Sequence, residues 1–303
     1  MTVPTIRRLI KQVYARVPLK RPVLEVVRRT VRLPRSLTGH LSFRGTFTVE
    51  IDRLHSFKLE HWGYLVENDL FWNGFGKGYE ATSLQIWRGL APHAQVILDV
   101  GANTGVYTLV ACCVNPAATV VALEPVDRVF RRLQRNIELN GYRVTLEKLA
   151  ASDTNGSAKI YDLPSDHEYT ASLDRVMSEG CSGVIEYEVP TKRLDDVLFC
   201  AGLRTVDLVK IDVEQFEPQV LLGMYAFLSQ CRPTLLIEIL NDRIAREVSE
   251  ITRDLGYSIF QIVEHRGLVK TGCIQSTELN ERNYLLAQEE VVTRANIDDF
   301  VIR

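Results

Sequence analysis

Lys210, Asp212 and Glu214 stand at alternate positions of one largely apolar run, Val206-Asp207-Leu208-Val209-Lys210-Ile211-Asp212-Val213-Glu214. Charged groups at the end of such a run are costly to bury unless they are paired or used. A carboxylate there can take the proton of a hydroxyl, and a neighbouring lysine keeps it ionised. Asp212 is the first candidate for a general base and Glu214 the second, with His167 and Glu238 behind them; a purely structural ion cluster is the competing reading. A second group lies upstream in Val96-Ile97-Leu98-Asp99-Val100-Gly101-Ala102-Asn103-Thr104-Gly105. Its apolar half reads as a buried strand, and the glycines let the adjoining turn come close to a ligand. The next helix offers free N–H groups and a positive dipole end. The third glycine of the dinucleotide fingerprint is missing. The loop therefore suits a ligand with a carboxylate and an amino group better than a pyrophosphate, with Asp99 and the loop backbone holding a zwitterionic tail such as that of S-adenosylmethionine. Glu124 ends the next strand a little over twenty residues after Gly101, where an acid accepts hydrogen bonds from both ribose hydroxyls. Ser152 or Asp153, at the end of a third strand, could accept from an adenine amine, or could simply form a turn.

These groups need strands to carry them and helices to cover the strands. Apolar runs at Val96–Val100, Thr119–Leu123, 144–149, 206–214 and 234–239 alternate with helical patterns at 80–90, 106–113, 127–140, 217–228 and 242–255, the alternation of a parallel α/β sheet. Asp127 and Asp242 are read as helix caps, and Asn140-Gly141 and Gly256 as helix stops. Residues 158–162 and 184–189 alternate like an added hairpin, with 166–172 between them as a loop. Residues 257–263 and 283–287 read as a final strand pair around His265-Arg266-Gly267. Before residue 75 the pattern differs: a basic helical arm to about residue 35, then alternation over 43–66 that predicts a small antiparallel meander. The expected division is 1–75 for arm and meander and 76–303 for the ligand-binding domain.

The chain has 303 residues, 46% hydrophobic and 24% charged, so it can bury a large core. A net charge of -2 gives no general case for nucleic-acid binding. Six scattered cysteines form neither a C-x-x-C pair nor a zinc-type cluster. They read as small buried residues of a reducing compartment, and with no long apolar run a soluble cytoplasmic protein is expected. No dense ligand set requires a metal. Residues 1–35 carry ten basic side chains against Glu25 alone. This arm is read either as attaching to an acidic surface, whether membrane, polyanionic substrate or partner, or as a solvated helix docked on its own domain; the second reading is the simpler.

The segments Tyr79-Glu80, Leu98 to Gly105, Ala122-Leu123-Glu124-Pro125, Asn136 to Gly141, Ala151-Ser152-Asp153, Arg193 to Asp196 and Asp207 to Glu214 resemble, in this order, the FkbM-type family of S-adenosylmethionine-dependent methyltransferases. The resemblance implies the class I methyltransferase (Rossmann-like) fold, a mostly parallel seven-stranded sheet with helices on both faces and the last strand antiparallel. It implies O-methylation of a hydroxyl on a sugar, glycolipid or polyketide-like metabolite. By position it puts Asp99, Gly101, Asn103 and Gly105 at the methionine portion, Glu124 on the ribose and Ser152 with Asp153 near the adenine. Tyr79 and Glu80 would close over the cofactor, and Asp212 and Glu214 would face the reacting methyl, with Lys210 paired to a carboxylate. One departure is Gln215, where the family usually has glycine; if that backbone needs a positive φ, glutamine there is strained. Two other classes of function stand as alternatives, a nicotinamide-dependent oxidoreductase of related topology and a non-catalytic cofactor-binding module docking an anionic partner through its arm.

Overall fold

A computed structural model describes residues 20–164, 169–172, 185–276 and 281–302. Its centre is an eight-stranded sheet in the order β13-β12-β14-β11-β10-β3-β4-β5. Five strands are mutually parallel: β11 (Thr234–Glu238), β10 (Leu208–Ile211), β3 (Val96–Val100), β4 (Thr119–Leu123) and β5 (Thr145–Glu147). Every residue of β3 and β10 is buried, as expected for strands covered on both faces. The remaining three, β14 (Asn283–Ala287), β12 (Ser258–Val263) and β13 (Gly267–Thr271), extend it as an antiparallel edge. The mostly parallel Rossmann-like fold is thus present, with one strand more than seven. The extra strand is β13. The His265–Gly267 turn folds residues 267–271 back on β12, while β14 inserts between β12 and β11 instead of pairing across that turn. His265 takes φ 64° and Gly267 φ 141°, the left-handed geometry that a tight reversal requires.

The covering helices are α3 (Ala81–Leu90), α4 (Val106–Val114), α5 (Asp127–Asn140), α6 (Leu194–Cys200), α7 (Glu217–Gly223), α8 (Tyr225–Cys231), α9 (Asp242–Thr252) and α10 (Glu289–Arg294). Two buried clusters, one on each face of the sheet, hold the layers together. The single helix expected over 217–228 is two, because the chain turns at Met224. Two caps also differ. Asn241, not Asp242, caps α9 by accepting from the Ile244 amide at 3.0 Å. The residue before α5 is Val126, whose amide donates to Glu124 at 2.9 Å. A second sheet, in the order β6-β9-β7-β8, is built from Ala150–Ala151, Ile185–Lys192, Gly156–Pro164 and Tyr169–Ser172. The expected hairpin of 158–162 with 184–189 is there, but part of the expected loop between them is the strand β8. His167 lies outside the described residues.

Before the sheet, α1 (Lys20–Thr30) leads to a hairpin of β1 (Gly45–Glu50) and β2 (Ser56–His61), paired in the register Phe47↔Leu59. The third strand expected of a meander is the helix α2 (Leu65–Asn73). Gly63, at φ 100°, ends the extended run, and from there burial of Leu70 and Phe71 on one face outweighs the alternating pattern. Phe47, Phe57 and Leu59 belong to the same buried cluster as Leu109 and Val110 of α4, so the hairpin packs directly on the sheet's covering layer. Asn136 and Asn140 of α5 pin β2 by accepting from the Glu60 and Lys58 amides at 3.0 and 2.7 Å. Residues 1–19, most of the expected basic arm, lie outside the described residues.

Candidate active site

The chain leaves β3 for β4 and β5, then returns to lay β10 on the other side of β3. Where the order reverses, the loops after neighbouring strands diverge and leave a crevice at the carboxyl edge. A cleft of about 400 Å³ lies there, within the size range of small-molecule and cofactor sites.

One end is formed by the glycine loop. Gly101 and Ala102 both donate to the Leu123 carbonyl, at 3.0 and 2.8 Å. Gly101 adopts φ 80°, and a Cβ there would stand 1.9 Å from the Asp212 carbonyl oxygen, so only glycine lets this loop touch the one carrying the acids. Gly105, at φ 90°, begins α4 with Leu133 against it. Asp99 is buried and accepts from the Thr108 amide and hydroxyl at 2.9 and 2.5 Å. Burial raises its carboxyl to about 6, against the opposing pull of Thr108 and Lys210. Both Glu124 oxygens take backbone donors, Oε2 from Asn103 at 3.1 Å and Oε1 from Val126 at 2.9 Å. Burial lifts its pKa to about 7. Beyond Glu124 the wall is apolar, with Val126, Leu149, Ala150 and Ile160. Ser152 and Asp153 do not reach this wall. Ser152 is buried behind it with its hydroxyl on Asp153 at 3.1 Å, and its carbonyl lies where a Cβ on Gly223 would fall.

The other end gathers charge. Lys210, 1% exposed, lies in register with Asp99 and donates to Asp212 Oδ2 at 3.2 Å. Its ammonium is also 5.1 Å from the centre of the Tyr107 ring. Burial alone would lower its pKa, but the carboxylates of Asp212, Glu80 and Glu238 outweigh that and hold it charged. Asp212 keeps about a quarter of its side chain open to the cleft. Glu214 is raised to about 7 by burial and by Asp212. Glu238, at the end of β11, is pushed up by the same two causes, with Arg282 at 4.0 Å. Glu80, also raised by burial, precedes α3 in a left-handed conformation and accepts from the Tyr107 hydroxyl at 2.5 Å. Tyr79 lines the cleft beside it.

Sequence reasoning missed the supports. Glu264, in the turn after β12, caps α3 by accepting from Thr82 and Ser83 amides at 2.7 and 3.3 Å, and so fixes the start of the helix behind Glu80. Nothing near Glu264 in sequence signals this. Glu217 accepts from the Val213 and Gln215 amides at 3.3 and 3.1 Å; its place just before Pro218 was the only clue. Leu65 and Val66 of α2 also line the cleft, a contribution that an expected β-strand concealed. Gln215 does stand at positive φ, 80°, after Glu214 at 54°. Its carboxamide oxygen accepts from Asn241 at 2.7 Å.

These residues fit S-adenosylmethionine. Asn103 Oδ1 is buried with no hydrogen-bond partner among the described residues, and it lies in the loop that would meet an amino-acid tail. Glu124 retains acceptor capacity beyond its two amide partners. The carboxylates complement a sulfonium and an ammonium. Among the described residues no three His, Cys, Asp or Glu side chains are arranged to hold a metal ion.

A family model for the methyltransferase FkbM domain matches residues 99–262. Among curated proteins, the chain is similar to the 31-O-demethyl-FK506 methyltransferase FkbM of Streptomyces tacrolimicus, 29% identical over 153 residues, covering 43% of this chain and 59% of that protein. It is also similar to the 2-O-methyltransferase NoeI of Sinorhizobium fredii, 30% identical over 149 residues, covering 45% of this chain and 60% of that protein. The chain thus spans about three-fifths of the length of these relatives. A solved FkbM methyltransferase from Methylobacillus flagellatus is similar at 16% identity and a TM-score of 0.41, covering 64% of this chain and 44% of that one. With more than half of its length matched by the family model, the chain belongs to the FkbM family of methyltransferases and takes S-adenosylmethionine as its methyl donor.

Proposed function

We propose that the protein is an O-methyltransferase acting on a hydroxyl of a sugar, glycolipid or secondary metabolite. The observation that carries this reading is the gathering of Asp212, Glu214, Glu238 and Glu80 about the buried Lys210, on the same cleft as the glycine loop and Glu124. The two relatives are a 31-O-demethyl-FK506 methyltransferase and a 2-O-methyltransferase, which supports it. When bound, S-adenosylmethionine supplies a methyl carbon already activated by a positively charged sulfur. In this reading Asp99, Gly101, Asn103 and Gly105 hold the amino-acid portion, and Glu124 accepts from the ribose hydroxyls. Leu149, Ala150 and Ile160 would pack on the adenine, with Ser152 and Asp153 supporting that wall from behind. Tyr79 and Glu80 cover the methionine portion and keep out water.

A hydroxyl is a weak nucleophile until its proton leaves. Asp212, which accepts from Lys210 at 3.2 Å and faces the cleft, takes that proton at a carboxylate oxygen. A second reading gives this task to Glu214, because a carboxyl near 7 is matched to a proton transfer at neutral pH. The experiment is a calorimetric titration with S-adenosylhomocysteine alongside transfer of a labelled methyl group. Glu124→Ala is expected to lose most of its affinity, and Asp212→Asn to keep it while losing about 100-fold or more in turnover. Label that survives alkaline hydrolysis identifies an ether rather than an ester. Full turnover in Asp212→Asn with loss in Glu214→Gln moves the base to Glu214. Unchanged affinity in Glu124→Ala removes the ribose assignment.

A further inference from the structure

The charge of this chain is divided in space as well as in sequence. Of its 36 basic and 38 acidic residues, ten basic and one acidic fall in the first 35, leaving 26 against 37 in the rest. An anionic surface therefore repels the body and attracts the N-terminal segment. Within that segment α1 is anchored on the core through the face that carries Leu24 and Arg28. Leu24 is buried in the core, and Arg28 donates to the Phe71 carbonyl at 2.8 Å with its guanidinium 4.5 Å from the Phe71 ring centre. The outward face carries Val23, Val26 and Arg29 at three-residue spacing, and Arg32 follows just past the end of the helix, all four exposed. Val23 and Val26 are 57% and 62% exposed, and Val31 and Leu37 beyond the helix are 52% and 45% exposed. The only acid on α1, Glu25, is paired with Arg21 at 3.1 Å. Isolated exposed valines need no explanation, but an apolar stripe continued by arginines is the pattern of a helix lying in a membrane interface.

We infer that α1 and the arginine-rich turn after it dock the enzyme on an anionic lipid bilayer. The valines enter the headgroup boundary while Arg29 and Arg32 meet lipid phosphates. The site of docking is close to the cleft: Leu65, which lines the cleft and is 48% exposed, lies on α2 six residues before the Phe71 that anchors α1, about 9 Å along a helix. The attachment is weak and reversible, since a short helix with two valines adds little apolar area. Each arginine near an anionic surface strengthens partitioning by roughly fivefold.

The test is co-sedimentation of the full chain with vesicles, either of pure phosphatidylcholine or of phosphatidylcholine with phosphatidylglycerol in equal parts. The chain is expected to sediment with the mixed vesicles only, and to be released by high salt as screening shortens. The double variant Arg29→Glu with Arg32→Glu is expected to weaken binding by more than about twentyfold, and Val23→Asp with Val26→Asp to abolish it. Circular dichroism melts, unchanged in both, separate docking from folding. Absence of the full chain from the mixed-vesicle pellet, as when this face receives a protein instead, overturns the inference. So does sedimentation of both variants at the wild-type level.

Discussion

Glu124 is a cleft side chain whose surroundings set its charge near neutral pH. Two amides favour the carboxylate and burial opposes it, and burial dominates, leaving a pKa of about 7. In the proposed binding mode ribose hydroxyls donate to the ionised form, so protonation competes with the ligand. Affinity for S-adenosylhomocysteine is expected to be level above pH 7 and to fall below it, approaching tenfold per unit. Calorimetry across that range checks this, and Glu124→Gln should flatten the profile. A wild-type affinity independent of pH would mean that Glu124 stays ionised throughout or does not meet the ligand. Lys210 has the opposite logic. Its carboxylate neighbours raise its pKa above the ordinary lysine value, so it acts as a fixed counter-charge and not as a proton carrier.

At the scale of elements, the loop between β10 and α7, which carries Asp212 and Glu214, is strained. Glu214 and Gln215 are consecutive left-handed residues, held there by Glu217 through the Val213 and Gln215 amides and by Asn241 through the Gln215 carboxamide. A non-glycine residue at such φ costs about 1–2 kcal/mol. Gln215→Gly removes that strain and also the hydrogen bond, whose loss costs about 1 kcal/mol, so the two effects nearly cancel. Gln215→Ala removes the bond and keeps the strain. The glycine variant is therefore expected to be more stable than the alanine variant by about 1 kcal/mol in denaturant unfolding. This is the reverse of the ordinary order, and an alanine variant at least as stable as the glycine one would mean that the loop does not hold Gln215 at positive φ.

For the molecule as a whole, residues 20–75 differ in architecture from the eight-stranded sheet and its helices but share their core. Phe47, Phe57, Leu59 and Phe71 are buried in one cluster with Trp87, Leu109 and Val110. Removing several large buried side chains at once costs more than the 5–15 kcal/mol by which a domain is usually stable. We propose that residues 1–75 are a separate unit in form and not in folding. A chain beginning at residue 76 is expected to lose cooperative thermal unfolding and to aggregate. A soluble fragment with a sharp melt and retained S-adenosylhomocysteine affinity would make it an independent domain. Among the described residues no helix is long and apolar enough to cross a membrane.

Much of this was legible in the linear chain because it depends on local physics. Largely apolar strands, a glycine turn and helical periodicity require only neighbours in sequence, so β3, α4, β4 and α5 fall where the residues indicated, while β10 ends at Ile211, short of the run expected to reach Glu214. Positive φ at Gln215 was conditional in sequence and became definite only when Glu217 and Asn241 closed around it. Long-range packing decided the rest. Leu65 to Asn73 became a helix because Leu70 and Phe71 found a core to bury in, and residues 267–271 became a strand because a turn offered them an open sheet edge. Ser152 lies buried behind the cleft wall, with its carbonyl packed against Gly223. The amino-acid order thus determined which residues are candidates for chemistry and which strands they follow. Tertiary structure decided their charge states and which of them face the same space, since burial and distance arise only when remote segments meet.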